Sequence, residues 1–334
     1  MLNRIRNRIY TLTRNKQNIT KLAIAILILI FPMAVRDTYI QHLAILGFIY
    51  GTLAMSWNLI FGYIGMFSLG HQAFYAIGAY TSALIAIRMG VTPWLTLFIG
   101  AGTAALTGLL IGFPCLRLRA TAYLAITTLA FAEIVKIALS NLVEITRGEL
   151  GLWGIPPLPN ISIAGVTIAD FKAREAYYYA GLIMIVGVSL LMMKLKRSKI
   201  GLAFTTIRDS EDAAEALGVN PAKYKLIGFT ISAFIAGLAG SFYAHYILLL
   251  APQIASIVTS IDIVAMTLLG GAGTILGPII GSYLIIFISE YLRAYGAMRL
   301  LIYGAAIVVL IIFMPRGIII TSGRLVQKLW NRVT

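Results

Sequence analysis

Few side chains in this sequence could do chemistry, and most of those lie within apolar stretches. Glu133 and Lys136 stand three apart in LAFAEIVKIAL, a spacing that puts both on one helix face and lets them neutralise each other. Asp262 sits in SIDIVAM with no charged neighbour close in sequence, and His71 follows Ser68 in FSLGH, where glycines predict irregular backbone. Ionisable groups at membrane depth are costly and mark either buried pairs or a solute path. Ser68, His71, Glu133 and Asp262 are therefore the pathway candidates. The alternatives are a structural ion pair for Glu133 and Lys136, a buried hydrogen-bonded His71 and a structural Asp262. His245, in GSFYAHY, reads as structural.

Several chemistries are excluded. Cys115 is the one cysteine, so neither an intrachain disulfide nor a cysteine metal site can form. No His, Asp and Glu set has metal-ligand spacing, and no nucleophile has a base at a plausible offset. No Gly-Lys pair occurs, so the chain has no P-loop to cradle phosphates. We expect no cofactor, no metal and no enzymatic activity.

The most informative polar segment is 194–225, KLKRSKIGLAFTTIRDSEDAAEALGVNPAKYK. Ser210 can cap a short helix, and Glu211 and Asp212 in its first turn suit the helix dipole. Gly218 fits the position just past that helix. Asn220 and Pro221 fit the cap and first position of the next one. Gly201 to Arg208 can form another short helix upstream. The pair reads either as an insert for a cleft on another protein or as a solvated connection.

The elements that must hold these residues are membrane spans. Of 334 residues 60% are hydrophobic and only 12% charged, with a mean hydropathy of +0.90. A soluble domain carries about 25% charged residues. The net charge of +15 is spread over short segments between apolar runs, a pattern that sets membrane orientation and is not a nucleic-acid footprint. The expected spans are Leu22–Val35, Ile40–Phe61, Phe67–Ile87, Trp94–Phe113, Ala122–Leu142, Tyr177–Met193, Leu226–Leu250, Ile254–Leu269, Ile275–Leu292 and Leu300–Met314. The first is uncleaved, since no small-residue cleavage site follows it.

With ten spans and both termini cytoplasmic, nineteen basic residues fall inside and seven outside, as the positive-inside rule requires. The inner set includes Arg117 and Arg119, and the outer set includes Lys172. The expected fold is an all-α polytopic membrane protein. A basic cytoplasmic arm spans 1–21, a membrane domain 22–314 and a basic cytoplasmic tail 315–334. An outer loop covers 143–176 and the inner loop 194–225. Anionic lipid headgroups are the expected contact of the arm. Gly273, Gly277 and Gly281, like Gly108 and Gly112, recur every four residues and predict close helix packing within the subunit, with a gate or subunit interface as the alternative.

Asp212-Ala213-Ala214 followed by Gly218 resembles the EAA-x3-G pattern of ABC importer permeases. The stretches RDSEDAAEALGVNPAKYKLIGFTISAFIAGLAGSFYA, SWNLIFGYIGMFSLGHQAFYAIGAYTSAL, PCLRLRATAYLAITTLAFAEIVK and LLGGAGTILGPIIGSYL resemble the branched-chain amino acid permease family, in particular its LivM-type branch. So does the closing Met314-Pro315-Arg316-Gly317, and the likeness keeps its order from Ile40 to Ile320. It implies a type II-importer-like bundle and a complex with a second permease subunit, two cytoplasmic ABC ATPase subunits and an extracytoplasmic solute-binding protein. It also implies that Arg208, Asp209, Asp212, Ala213, Ala214, Glu215 and Gly218 face an ATPase. The implied solutes are branched-chain or related amino acids, with urea or short amides as the sister alternative. An ion-coupled secondary transporter is the reading from another class. One departure is Thr146-Arg147-Gly148, where the family pattern has a Thr-Gly-Gly-like turn.

Overall fold

A computed structural model describes residues 23, 26–115, 121–163, 166–171 and 173–293, with isolated positions between 298 and 321. The basic arm, Arg117, Arg119, Lys172 and most of the last expected span and of the tail lie outside the described residues.

Residues 26–34 are helical (α1). α2 (Thr38–Asn58) runs into a π-helical turn, Leu59–Ile64, and α3 (His71–Met89), α4 (Pro93–Cys115) and α5 (Thr121–Asn141) follow. Next come short α6 (Val143–Thr146), β1 (Leu152–Trp153), β2 (Ile161–Ile163), β3 (Val166–Ala169) and α7 (Arg174–Lys196). The polar segment holds α8 (Lys199–Asp209) and α9 (Glu211–Ala216). α10 (Pro221–Ile247), β4 (Leu249–Leu250), α11 (Ile257–Gly270) and α12 (Leu276–Tyr291) complete the described elements. Among the described residues five apolar stretches are long enough to cross a membrane: Thr38–Ile64, Pro93–Cys115, Tyr123–Asn141, Arg174–Lys196 and Pro221–Ile247. α11 and α12 are apolar but shorter; the 14 residues of α11 rise only about 21 Å.

Burial separates axis from periphery. The apolar stretch of α2 is 89% buried, whereas that of α5 is 22% buried. α10 packs on α2, α3 and α4, and Trp57, Phe74 and Phe229 are buried where these helices meet. A Cβ on Gly281 would overlap the Met266 carbonyl, and one on Gly108 would overlap the Ala233 methyl. The four-residue glycine rows therefore serve packing inside the chain. Gly273 is the exception, because it lies in the α11–α12 turn and not on the helix.

The fold differs from an all-α expectation in the 143–176 loop and just after α10. β1 pairs antiparallel with β4, Leu152 opposite Leu250, and β2 pairs with β3 in a hairpin. The strands are two to four residues long, too short to carry a period-two signal. They satisfy backbone groups where the loop returns over the bundle.

Candidate functional site

The segment between α7 and α10 folds as two capped helices. Ser198 Oγ accepts from the Gly201 amide (3.3 Å) and Ser210 Oγ from the Ala213 amide (3.2 Å). Gly218 adopts φ +79°, a conformation that costs glycine no Cβ clash. This lets the Val219 amide reach the Ala214 carbonyl at 3.0 Å and the Gly218 amide reach that of Glu215 at 2.9 Å. That pair of bonds is a Schellman closure. Asn220 Oδ1 accepts from the Lys223 amide at 3.1 Å, with Pro221 in the first turn of α10. The stops and starts expected at Ser210, Gly218, Asn220 and Pro221 are all present.

Burial divides this elbow into two faces. Ala203, Phe204 and Ile207 of α8 and Ala214 of α9 are buried. Asp212, Ala213, Glu215, Ala216 and Gly218 are exposed. Leu217 is 75% exposed and Leu202 69%. Two residues of the expected coupling set are placed unlike the rest. Ala214 packs inward and presents no surface, because it falls on the bundle side of a helix only two turns long. Arg208 spans both faces: Nη2 donates to Asp209 Oδ1 (3.2 Å), while Nη1 turns into the bundle and donates to the Gly62 carbonyl (2.9 Å).

That carbonyl lies in the closing turn of the α2 segment, where helices leave acceptors without intrahelical donors and where a cation suits the dipole. Arg208 thus caps one element from another. The same turn is tied onward by Asn58. Its Oδ1 accepts from the Gly273 amide (2.7 Å) and its Nδ2 donates to the Thr274 carbonyl (2.7 Å). A continuous chain of bonds therefore runs from α8 through the π-helical turn to the α11–α12 turn. Lys196 Nζ lies 5.6 Å above the Tyr63 ring, and Lys225 Nζ pairs with Glu211 Oε2 at 2.5 Å. The Lys225 side chain is only 9% exposed. Neither Asn58 nor the Lys225–Glu211 pair is among the sequence candidates. The available sequence signal is a glutamate opening the second short helix and a lysine early in the helix that follows it.

Ser68 and His71 lie just beyond this turn, and both are buried. The Trp57 indole donates to the Ser68 carbonyl (2.7 Å). Ser232 Oγ donates to the Ser56 carbonyl (2.6 Å), so His71 Nε2, 2.7 Å from the Ser232 hydroxyl, donates to that hydroxyl. His71 Nδ1 is then a buried acceptor without a hydrogen-bond partner. Glu133 and Lys136 pair at 3.2 Å on α5, with side chains 46% and 33% exposed. Asp262 is half-buried on α11. Glu133 and Asp262 thus stand on different helices from the Ser68–His71 pair.

At the opposite end of the bundle His245 is structural, as expected. Its Nδ1 donates to the Pro156 carbonyl (2.7 Å), and Nε2 lies 2.9 Å from Ser82 Oγ and 3.1 Å from Thr96 Oγ1. Tyr177 OH donates to the His245 carbonyl (2.8 Å) and accepts from the Leu158 amide (3.0 Å). Arg147 occupies the left-handed region at φ 62°, a conformation that favours glycine. Its guanidinium carbon stands 3.9 Å from the centre of the Trp153 ring. That cation–π contact, worth about 0.5–1 kcal/mol, offsets a conformational cost of about 1–2 kcal/mol. Among the described residues, no group of His, Cys, Asp and Glu could hold a metal ion.

The architecture defines a multi-pass helical membrane protein with a polar elbow hydrogen-bonded into its bundle. The profile described as branched-chain amino acid transport system / permease component matches residues 39–314, and the chain belongs to that permease family. It is 33% identical to the high-affinity branched-chain amino acid transport system permease protein LivM of Escherichia coli K12, across 91% of this chain and 75% of the relative. It is 26% identical to the LivH permease protein of Salmonella typhimurium, across 82% of this chain and 92% of the relative. The fructose import permease protein FrcC of Rhizobium meliloti is 29% identical, across 63% of this chain and 58% of the relative. No solved structure matches. The chain is a permease subunit of an ABC importer, a multi-pass protein of the prokaryotic cytoplasmic membrane, and not an enzyme.

Proposed function

We propose that this chain forms one half of the translocation unit for branched-chain amino acids and takes its driving force from separate ATPases. The kinship with LivM supports the solute class. A second, different permease chain is the expected partner, since LivM-type and LivH-type relatives both match. A solute-binding protein delivers cargo at the end carrying β1–β4. The chain crosses the membrane ten times with both termini in the cytoplasm, and its basic arm meets anionic lipid headgroups.

The observation that carries the coupling role is the elbow itself. Leu217, three-quarters exposed, is a large apolar side chain at the end of the small and charged helix α9, and it lies beside exposed Asp212, Ala213, Glu215 and Gly218. An apolar knob in a polar frame suits a cleft on another protein. Arg208 and Asp209 link that face to the bundle. In the membrane, Glu133 and Lys136 are too exposed on α5 to face hydrocarbon. Their side of α5 therefore borders the second permease chain or the hydrated path between the two.

The test is reconstitution of the two permeases with the ATPases and binding protein, and then a measurement of labelled leucine uptake. Leu217→Asp should abolish co-purification of the ATPases and cut uptake at least tenfold, with normal membrane insertion. Gly218→Val should uncouple hydrolysis from uptake. Normal ATPase capture by Leu217→Asp would sink the coupling role. Uptake of urea or short amides without leucine would overturn the solute assignment alone.

A further inference from the structure

α4 and α7 show the surface of this bundle where it suits hydrocarbon. Leu95, Phe98, Leu106 and Leu109 are exposed on α4, which holds no acidic or basic residue from end to end. On α7 Ile183, Val186 and Leu190 are exposed, and no acidic or basic residue stands between Glu175 and Lys194. α5 is the least covered of the long apolar helices, yet of these three it is the one with charges in mid-span. Its exposed stripe includes Ile126, Ala130, Ile134 and Ile137, at the three- and four-residue spacing of one helix face. Glu133 and Lys136 stand along one edge of that stripe, both part-exposed and 3.2 Å apart.

Neither lipid nor a dry protein contact suits this edge. In hydrocarbon the pair would lose the water that its exposed polar atoms need. Against a tightly packed helix both ions would be desolvated for one mutual bond, a cost that can exceed their attraction. A hydrated passage imposes neither penalty. The pair also restricts what can use it. A simple ion would have to break it and strand one member without a partner. A zwitterion brings both signs at once, so its ammonium can take Glu133 while its carboxylate takes Lys136, and no charge is left over. The two charges of an α-amino acid hang from one carbon, about as close together as this carboxylate and this ammonium. Its side chain then falls beside the apolar stripe, where a branched aliphatic group meets surface of its own kind.

We propose that Glu133 and Lys136 read the zwitterion in the translocation path, parting to take the ammonium and carboxylate of the passing amino acid while Ala130, Ile134 and Ile137 meet its side chain. The inference rests on the amino-acid reading above and deepens it. A neutral solute such as urea has no charges to exchange with the pair, so this edge of α5 discriminates against the sister solutes.

The experiment uses the complete complex, both permeases with the ATPases and the binding protein, in proteoliposomes. Uptake of labelled L-leucine, ATP hydrolysis and melting are read on the same preparations. Glu133→Gln combined with Lys136→Gln removes both charges. It should cut uptake about tenfold at saturating loaded binding protein while hydrolysis holds within about twofold. Glu133→Lys combined with Lys136→Glu rebuilds the ion pair with its ends reversed against the apolar stripe. That variant should melt as wild type does and transport as poorly as the glutamine variant. A pair that only holds α5 in place predicts the opposite, with uptake restored by the reversed pair. Such restoration, or normal uptake in the glutamine variant, overturns the inference. Loss of both variants from the membrane assigns the pair to structure and overturns it as well. Wild type that moves urea and no leucine overturns the amino-acid reading itself, a result seen before any variant is made.

Discussion

At the end carrying the outer loop, residues 156–158 are tied to α10 by His245 and Tyr177 through neutral, buried hydrogen bonds. At the other end, α8 and α9 are tied to the bundle by Arg208 and Lys225, two charged side chains reaching across from exposed positions or to partly exposed partners. The first arrangement fixes a loop in place, because each buried polar group there would be stranded if its partner moved. The second can be loaded from outside. Arg208, 41% exposed, exchanges its partner for water at modest cost, while buried Lys225 keeps its hold on Glu211, so α8 can shift about a retained anchor without unfolding what it is attached to. The difference is between a frame and a linkage.

Four substitutions sharpen or break that comparison, from the largest expected effect to the smallest. His245→Ala leaves the Pro156 carbonyl unpartnered and opens a cavity, and should cost about 2–4 kcal/mol. It should be read as a lower melting temperature and reduced membrane yield. If yield and melting are unchanged, the outer end is no frame. Asn58→Ala removes both bonds to the α11–α12 turn and should cost about 1–3 kcal/mol. The decisive measurement is the ratio of ATP hydrolysed to solute moved, expected to rise at least tenfold as uptake fails. Arg208→Gln should raise the same ratio by about threefold while changing melting by no more than a few degrees, since the side chain is 41% exposed. A large loss of melting temperature with an unchanged ratio would make Arg208 part of the frame. Arg147→Gly exchanges conformational strain for a lost cation–π contact, two terms of about 1 kcal/mol each. Thermal melting of that variant should match wild type within a degree or two.

Legibility tracks sequence distance. Ser210, Gly218, Asn220 and Pro221 are readable because capping involves residues two to five positions apart and depends on side-chain type alone. The apolar helices are readable to within a few residues for the same reason. The direction of Arg208 is not, because the carbonyl it meets is 146 residues away and belongs to a turn whose π-helical form has no sequence signature. The burial of Ala214 is not legible either, because a pattern match names positions without saying which face of a short helix is covered. Asn58 carries no signal, being a polar residue in an apolar run with partners more than 200 positions distant. The Glu133–Lys136 pair is legible as a pair, and its exposure is not, since that depends on how little of α5 the rest of the chain covers.

The loose winding at Leu59–Ile64 matters for anyone cutting or grafting this chain. A π turn holds one residue more than an ordinary helical turn, so it can shed one and close into α-helix with the flanking segments kept nearly in their orientation. Elsewhere in the span the same deletion would turn one part by about 100° against the other. A sister sequence with a one-residue gap at this place can therefore keep the direction of the helix while presenting a different set of carbonyls to Arg208.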